Sequence, residues 1–248
     1  MSWVQNKLRA RHLAAAFILL SAGAASADIL VVRSTGPSAK SFPPGKSLPE
    51  SGSITLKQND SLIVLDGRGT RTLRGPGTFS PGGPSAAAAR SSLSALTGTG
   101  QQRRARIGAV RSVAAIPRSP SIWHVDIAKS STICLADPAK VQLWRADAAQ
   151  PATLTITRSG DPRPQTLQWA AGESTIAWPA AVPIAESAAY QLSWAGAGVP
   201  TTLKFRRLSA RPAGLEEMAS SLIQNGCEAQ LDLLIDTVRL PDEGETAG

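Results

Sequence analysis

The chain has 248 residues, with 26 Lys and Arg against 18 Asp and Glu, two His, two Cys, 18 Pro and 21 Gly. No run of about 20 apolar residues occurs, which excludes a conventional transmembrane span. The many turn residues and few aromatics exclude a long helical bundle or coiled coil, and the length holds one large domain or two ordinary ones.

The first predicted element is an address. Lys7, Arg9, Arg11 and His12 form a basic stretch, Leu13 to Ala25 is an apolar run, and Ala25-Ser26-Ala27 carries the small residues that a signal peptidase reads. Residues 1–27 are therefore expected to be an export signal cleaved after Ala27. An anchor helix would need a longer apolar run. No Cys follows the cleavage point, which argues against a lipoprotein. The expected location is periplasmic or secreted, with no transmembrane span left after cleavage.

Residues 28–83 read as a small β domain. Ile29-Leu30-Val31-Val32 suits a buried strand, and Phe42-Pro43-Pro44-Gly45 is a loop. Ile54 and Leu56 alternate with Thr55 and Lys57. Asn59-Asp60 marks a turn before Ser61-Leu62-Ile63-Val64-Leu65. Asp66-Gly67 followed by Gly69 signals a hairpin, returning through Thr70 to Leu73 before Gly75-Pro76-Gly77 and Phe79. From Ser53 to Pro81 the Ile-x-Leu strand, the Asn-Asp-Ser-Leu turn and the hairpin ending in Gly-Pro-Gly resemble the FecR-type periplasmic signalling domain. That resemblance implies a roll of short β-hairpins without catalytic residues, serving a sensory or envelope system.

Residues 84–120 read as an Ala/Arg-rich linker. Ala86 to Leu96 suits one short helix, and Gly98-Thr99-Gly100 ends it. Arg103, Arg104, Arg106 and Arg111 follow, with few apolar residues and with Pro117 and Pro120 beyond. Low hydrophobicity and like charge favour a solvated tether. Its alternative role is to bind an anion.

Residues 121–208 read as a β-sandwich, with candidate strands at Ile122–Ile127, Ser131–Leu135, Lys140–Arg145, Ala152–Arg158, Gln165–Trp169, Ser174–Trp178, Tyr190–Trp194 and Thr202–Arg207. Trp123, Trp144, Trp169, Trp178 and Trp194 all fall here. They are expected to fill the core, with Trp178 beside Pro179 the most exposed. Glu186 to Leu192, centred on Tyr190, resembles the tyrosine corner of immunoglobulin-like domains. There a Tyr opening a late strand ties its hydroxyl to the neighbouring loop.

Leu215, Met218, Ala219, Leu222 and Ile223 repeat at helical spacing, Asn225-Gly226 stops the helix, and Cys227, Leu231, Leu234, Ile235 and Val238 continue the pattern. The expectation is a short helical hairpin whose apolar side docks on the sandwich, so that residues 121–240 form one unit. Pro241 to Gly248 is an acidic tail. The fold expected overall is mainly β: a small β-hairpin or β-roll domain, a basic linker, and an immunoglobulin-like sandwich with a C-terminal helical hairpin.

Charge is unevenly spread. Residues 28–211 hold 22 basic and 10 acidic groups, whereas residues 212–248 hold one basic and eight acidic. Such asymmetry points to an anionic partner or to one part of the chain docking on another. In an exported protein the anions are envelope polymers and lipids, not nucleic acid. Cys134 and Cys227 are the only cysteines. An oxidising compartment favours a bridge between them, and closing so long a loop contributes about 4 kcal/mol by the loop-entropy model.

Catalytic signatures are sparse. His124 is the one histidine beyond the signal, and no Gly-x-Ser-x-Gly accompanies it, so a Ser-His-Asp triad is not expected. Zinc would need three or four ligands, and no paired-ligand motif exists to supply them. Gly67-x-Gly69 and Gly75-x-Gly77 lack the full phosphate-loop pattern and read as turns. Asp126, Asp137, Asp161 and Glu173 are the carboxylates available for a scattered hydrolytic pair. The leading expectation is a non-enzymatic exported module, without cofactor or metal, that binds an envelope protein. The alternatives are a glycan- or lipopolysaccharide-binding module using Trp and Arg, and a carboxylate hydrolase.

Overall fold

The computed structural model describes residues 29–82 and 118–240. The expected signal segment, most of the expected linker with Arg103, Arg104, Arg106 and Arg111, and the acidic tail lie outside the described residues. Among the described residues the chain is mainly β, with four sheets and two short α-helices.

The N-terminal unit is built on β1 (Ile29–Thr35), β2 (Ser47–Leu48), β4 (Ser61–Asp66) and β5 (Gly69–Arg74), hydrogen-bonded in the order β2-β1-β4-β5. A two-stranded ribbon, β3 (Ile54–Leu56) with β6 (Gly77–Phe79), closes over one face. Strands buried on one face alternate; strands buried on both do not. The continuous apolar runs of β1 and β4 follow from this. Ile29, Val31, Leu62 and Val64 point into the unit's own core with Leu48, Ile54, Leu56 and Leu73. Leu30, Val32, Ile63 and Leu65 point the other way, into a second core shared with the helices.

The sandwich faces a five-stranded sheet against a three-stranded one. The larger has the order β11-β10-β13-β14-β8, from β8 (Ser131–Leu135), β10 (Ala152–Arg158), β11 (Asp161–Trp169), β13 (Ala189–Trp194) and β14 (Thr201–Arg207). The smaller has the order β12-β9-β7, from β7 (His124–Asp126), β9 (Gln142–Trp144) and β12 (Thr175–Ala177). Inward residues of both sheets make a core that includes Val125, Leu143, Leu154, Ile156, Trp169, Leu192, Leu203 and Phe205. The first and last strands of the larger sheet, β8 and β14, run parallel; its other pairs are antiparallel.

Several bounds differ from expectation for identifiable reasons. β11 begins at Asp161, four residues early, because its prolines lie on the sheet's outer strand, where a missing N–H costs no ladder bond. β7 is only three residues long because Ser121 and Trp123 are taken up in a turn. β9 is shortened by a 3₁₀ turn, Pro138–Lys140, which Asp137 caps by accepting the Ala139 N–H at 3.0 Å.

Helices α1 (Leu215–Gln224) and α2 (Glu228–Thr237) form the expected hairpin. Gly226 has φ +68 and donates to the Ile223 carbonyl, while Cys227 donates to the Leu222 carbonyl. This is the paired termination that a left-handed residue permits after a helix. The docking is wider than expected. Leu215, Met218, Ala219, Leu222, Leu231, Leu234 and Ile235 pack against Leu30, Val32 and Leu65 of the N-terminal unit as well as against Ile122 and Cys134 of the sandwich. The hairpin therefore belongs to both β units and joins them. Beyond α2, Val238 and Leu240 exchange backbone hydrogen bonds with Thr70, extending the β5 edge. Gly69 must be a glycine, since a Cβ there would collide with the Val238 carbonyl. No helix among the described residues is long and apolar enough to cross a membrane.

Candidate functional site

The junction of hairpin and sandwich is held by a disulfide and by buried side-chain hydrogen bonds. β8 is an outer strand, and its Cys134 side chain points away from the sandwich core. Cys227 caps the start of α2. The two are disulfide-bonded with Cα atoms 5.8 Å apart, and both side chains are fully buried. Gln230, one turn along α2, lies 3% exposed beside the bridge. Its Oε1 accepts the Cys134 N–H at 2.6 Å, and its Nε2 donates to the carbonyls of Ile122 at 2.9 Å and Cys134 at 3.0 Å. One amide thus satisfies the backbone of an outer strand that has no further strand beside it. Arg33 on β1 forms an ion pair with Asp232 on the same helix, and Arg118 pairs with Asp236 at 3.5 Å.

The tyrosine corner has its hydrogen bonds. Tyr190 Oη donates to the Pro183 carbonyl and accepts the Ala185 N–H, both at 2.7 Å. Trp178, partly buried, packs edge-on against Tyr190 and Phe205 at centroid distances of 5.3 and 5.2 Å. Its Nε1 donates to the Val182 carbonyl. Trp144 and Trp169 are buried, and Trp123 and Trp194 are partly so. Trp123 lines a cleft beside the end of β8. Arg145 is buried, 7% exposed, and ties a loop together by donating to the carbonyls of Glu173, Gln150 and Ala170 at 2.7–3.0 Å.

His124 sits half-buried in a groove of about 240 Å³ between the β7–β8 turn and α2, with Asp126, Asp232 and Asp236 also on its walls. Burial holds its pKa below the usual histidine value. Its Nδ1 is enclosed without a partner, so no acid orients the ring. Asp126 is occupied by Lys129 at 3.6 Å and by the Ala128 N–H, and Asp232 and Asp236 are in the ion pairs above. The expected carboxylates are dispersed: Asp126 lines this groove, Asp137 a cleft on β8–β9, and Asp161 a cleft beside Pro183, while Glu173 accepts the Ala170 N–H. Among the described residues no group of three or more His, Cys, Asp or Glu is placed to hold a metal ion.

No family model, curated protein or solved structure matches the chain.

Proposed function

We propose that the protein is an exported, non-enzymatic module of the cell envelope that binds a partner protein, its FecR-like β unit and immunoglobulin-like sandwich held together by the helical hairpin. The observation that carries this reading is the fully buried Cys134–Cys227 bridge. A disulfide of this kind belongs to an oxidising compartment, in agreement with the export signal expected at residues 1–27. The two β units share one core through the hairpin, so their outer surfaces are presented together. The outer face of the five-stranded sheet is the surface this reading offers to the partner. It is polar, carrying Thr155, Gln191, Lys204 and Arg206 along successive strands.

The test is photo-crosslinking in living cells from probes at Gln191 and Lys204, both exposed. An adduct of one discrete mass in the periplasmic fraction is expected. Probes that yield only envelope polysaccharide, or no adduct while the protein is exported and oxidised, would overturn the protein-binding role.

A further inference from the structure

A cleft of about 270 Å³ opens where the chain enters the sandwich, between the end of β8, the 3₁₀ turn before β9 and the loop leading into α1. Its floor is apolar: Leu135 and Val141 are each 4% exposed. Trp123 forms one wall, and the Arg211 guanidinium lies 5.9 Å from the centre of its ring. The remaining polar groups are Lys140 and Asp137. They pair with each other at 3.3 Å, and Asp137 also accepts the Ala139 N–H. Arg211 is exposed; its charge acts on the Asp137 carboxylate across the cleft, but it makes no direct ion pair or hydrogen bond among the described residues. One cation thus stands over an aromatic and aliphatic floor with no hydrogen bond to the cleft's own acid.

That combination selects a ligand. An apolar recess with a few convergent polar groups is the usual form of a small-molecule site, and a guanidinium fork matches a carboxylate in a bidentate way. We infer that this cleft binds a small amphipathic carboxylate, its apolar body against Trp123, Leu135 and Val141 and its carboxylate on Arg211. Acetate would lack the body, and an alcohol would lack the charge. The site is independent of the partner-binding role proposed above.

Hexanoate is the probe, titrated calorimetrically into the oxidised protein beginning at Asp28, with acetate and hexan-1-ol as comparisons. Saturable millimolar or tighter binding of hexanoate is expected, with both comparisons at least about tenfold weaker. Arg211→Gln should weaken hexanoate by about tenfold or more, the size of one lost charge-assisted contact. Lys40→Gln, at an exposed cation on the N-terminal β unit, should leave it unchanged. The Trp123 indole resonance, assigned with Trp123→Phe, should shift on titration while that of buried Trp169 stays put. Absence of saturable hexanoate binding would overturn the inference. So would equal binding of hexan-1-ol, or an Arg211→Gln variant that binds as the parent does.

Discussion

Replacing Gln230 by Ala removes three hydrogen bonds at a position 3% exposed. It leaves the Cys134 N–H and the carbonyls of Ile122 and Cys134 without their side-chain partner. Each buried polar group left unpaired costs about 1–3 kcal/mol, and partial entry of water relaxes the sum to about 2–5 kcal/mol. With a urea m-value of about 2 kcal/mol/M for a protein of this size, the midpoint should fall by about 1–2.5 M. Gln230→Glu separates the hydrogen bonds from the packing. It keeps the volume but turns a carboxylate oxygen toward two carbonyls. Burial there would raise the folded-state pKa above the unfolded value of about 4.3. Such a group favours folding below its unfolded pKa, and that benefit is lost as pH rises through the folded pKa. The Glu variant should therefore recover toward the parent when acidified, and Gln230→Ala should not. Urea titrations of the oxidised protein at neutral and acid pH decide it. A Gln230→Ala midpoint within error of the parent's would refute the idea that this amide completes the outer strand.

Tyr190→Phe should cost about 1–3 kcal/mol in the same assay, because the Ala185 N–H and the Pro183 carbonyl lose their shared hydroxyl. Gly69→Ala should lower the melting temperature by several degrees, since the Val238 carbonyl occupies the space of its Cβ. His124 has a depressed pKa in the folded state, so its contribution is complete above the unfolded value of about 6.5 and is lost as pH falls below it. His124→Asn should flatten that part of the stability–pH curve. Trypsin acting at Arg103, Arg104, Arg106 or Arg111 should leave two fragments that co-elute on gel filtration, because the shared core survives the cut; separate elution would show that the hairpin does not join the β units.

Much of the fold is legible because its periodicities are honoured locally. Ile29 to Val32 and Ser61 to Leu65 read as buried strands; the first is buried throughout, and in the second Leu62, Val64 and Leu65 are buried while Ser61 and Ile63 are partly so. Tyr190 announced its corner by its place before an alternating strand. What sequence does not carry is the identity of the second surface. The apolar stripe of Leu215, Met218 and Leu222 says that α1 is covered, and only the fold shows it shared between Leu30, Val32 and Leu65 on one side and Ile122 on the other. Gln230 and Arg145 were missed for a related reason. Each is polar at a position that spacing places near the core, and their roles depend on carbonyls supplied from distant segments. Trp178 sits beside Pro179 in sequence, and its ring partners Tyr190 and Phe205 come from strands that spacing does not connect to it. The carboxylates could not be sorted from spacing, and Arg211 over Trp123 gives no signal at all, being 88 positions away in sequence.

The most direct test of the account is the intact mass and N-terminal sequence of the protein recovered from the periplasmic or secreted fraction, measured without reductant and with a thiol-alkylating reagent present. The account predicts a chain beginning at Asp28, two hydrogens lighter than its reduced form, with no alkylated cysteine and a cross-linked peptide pair containing Cys134 and Cys227. A cytosolic chain that retains Met1 and alkylates at both cysteines would contradict it.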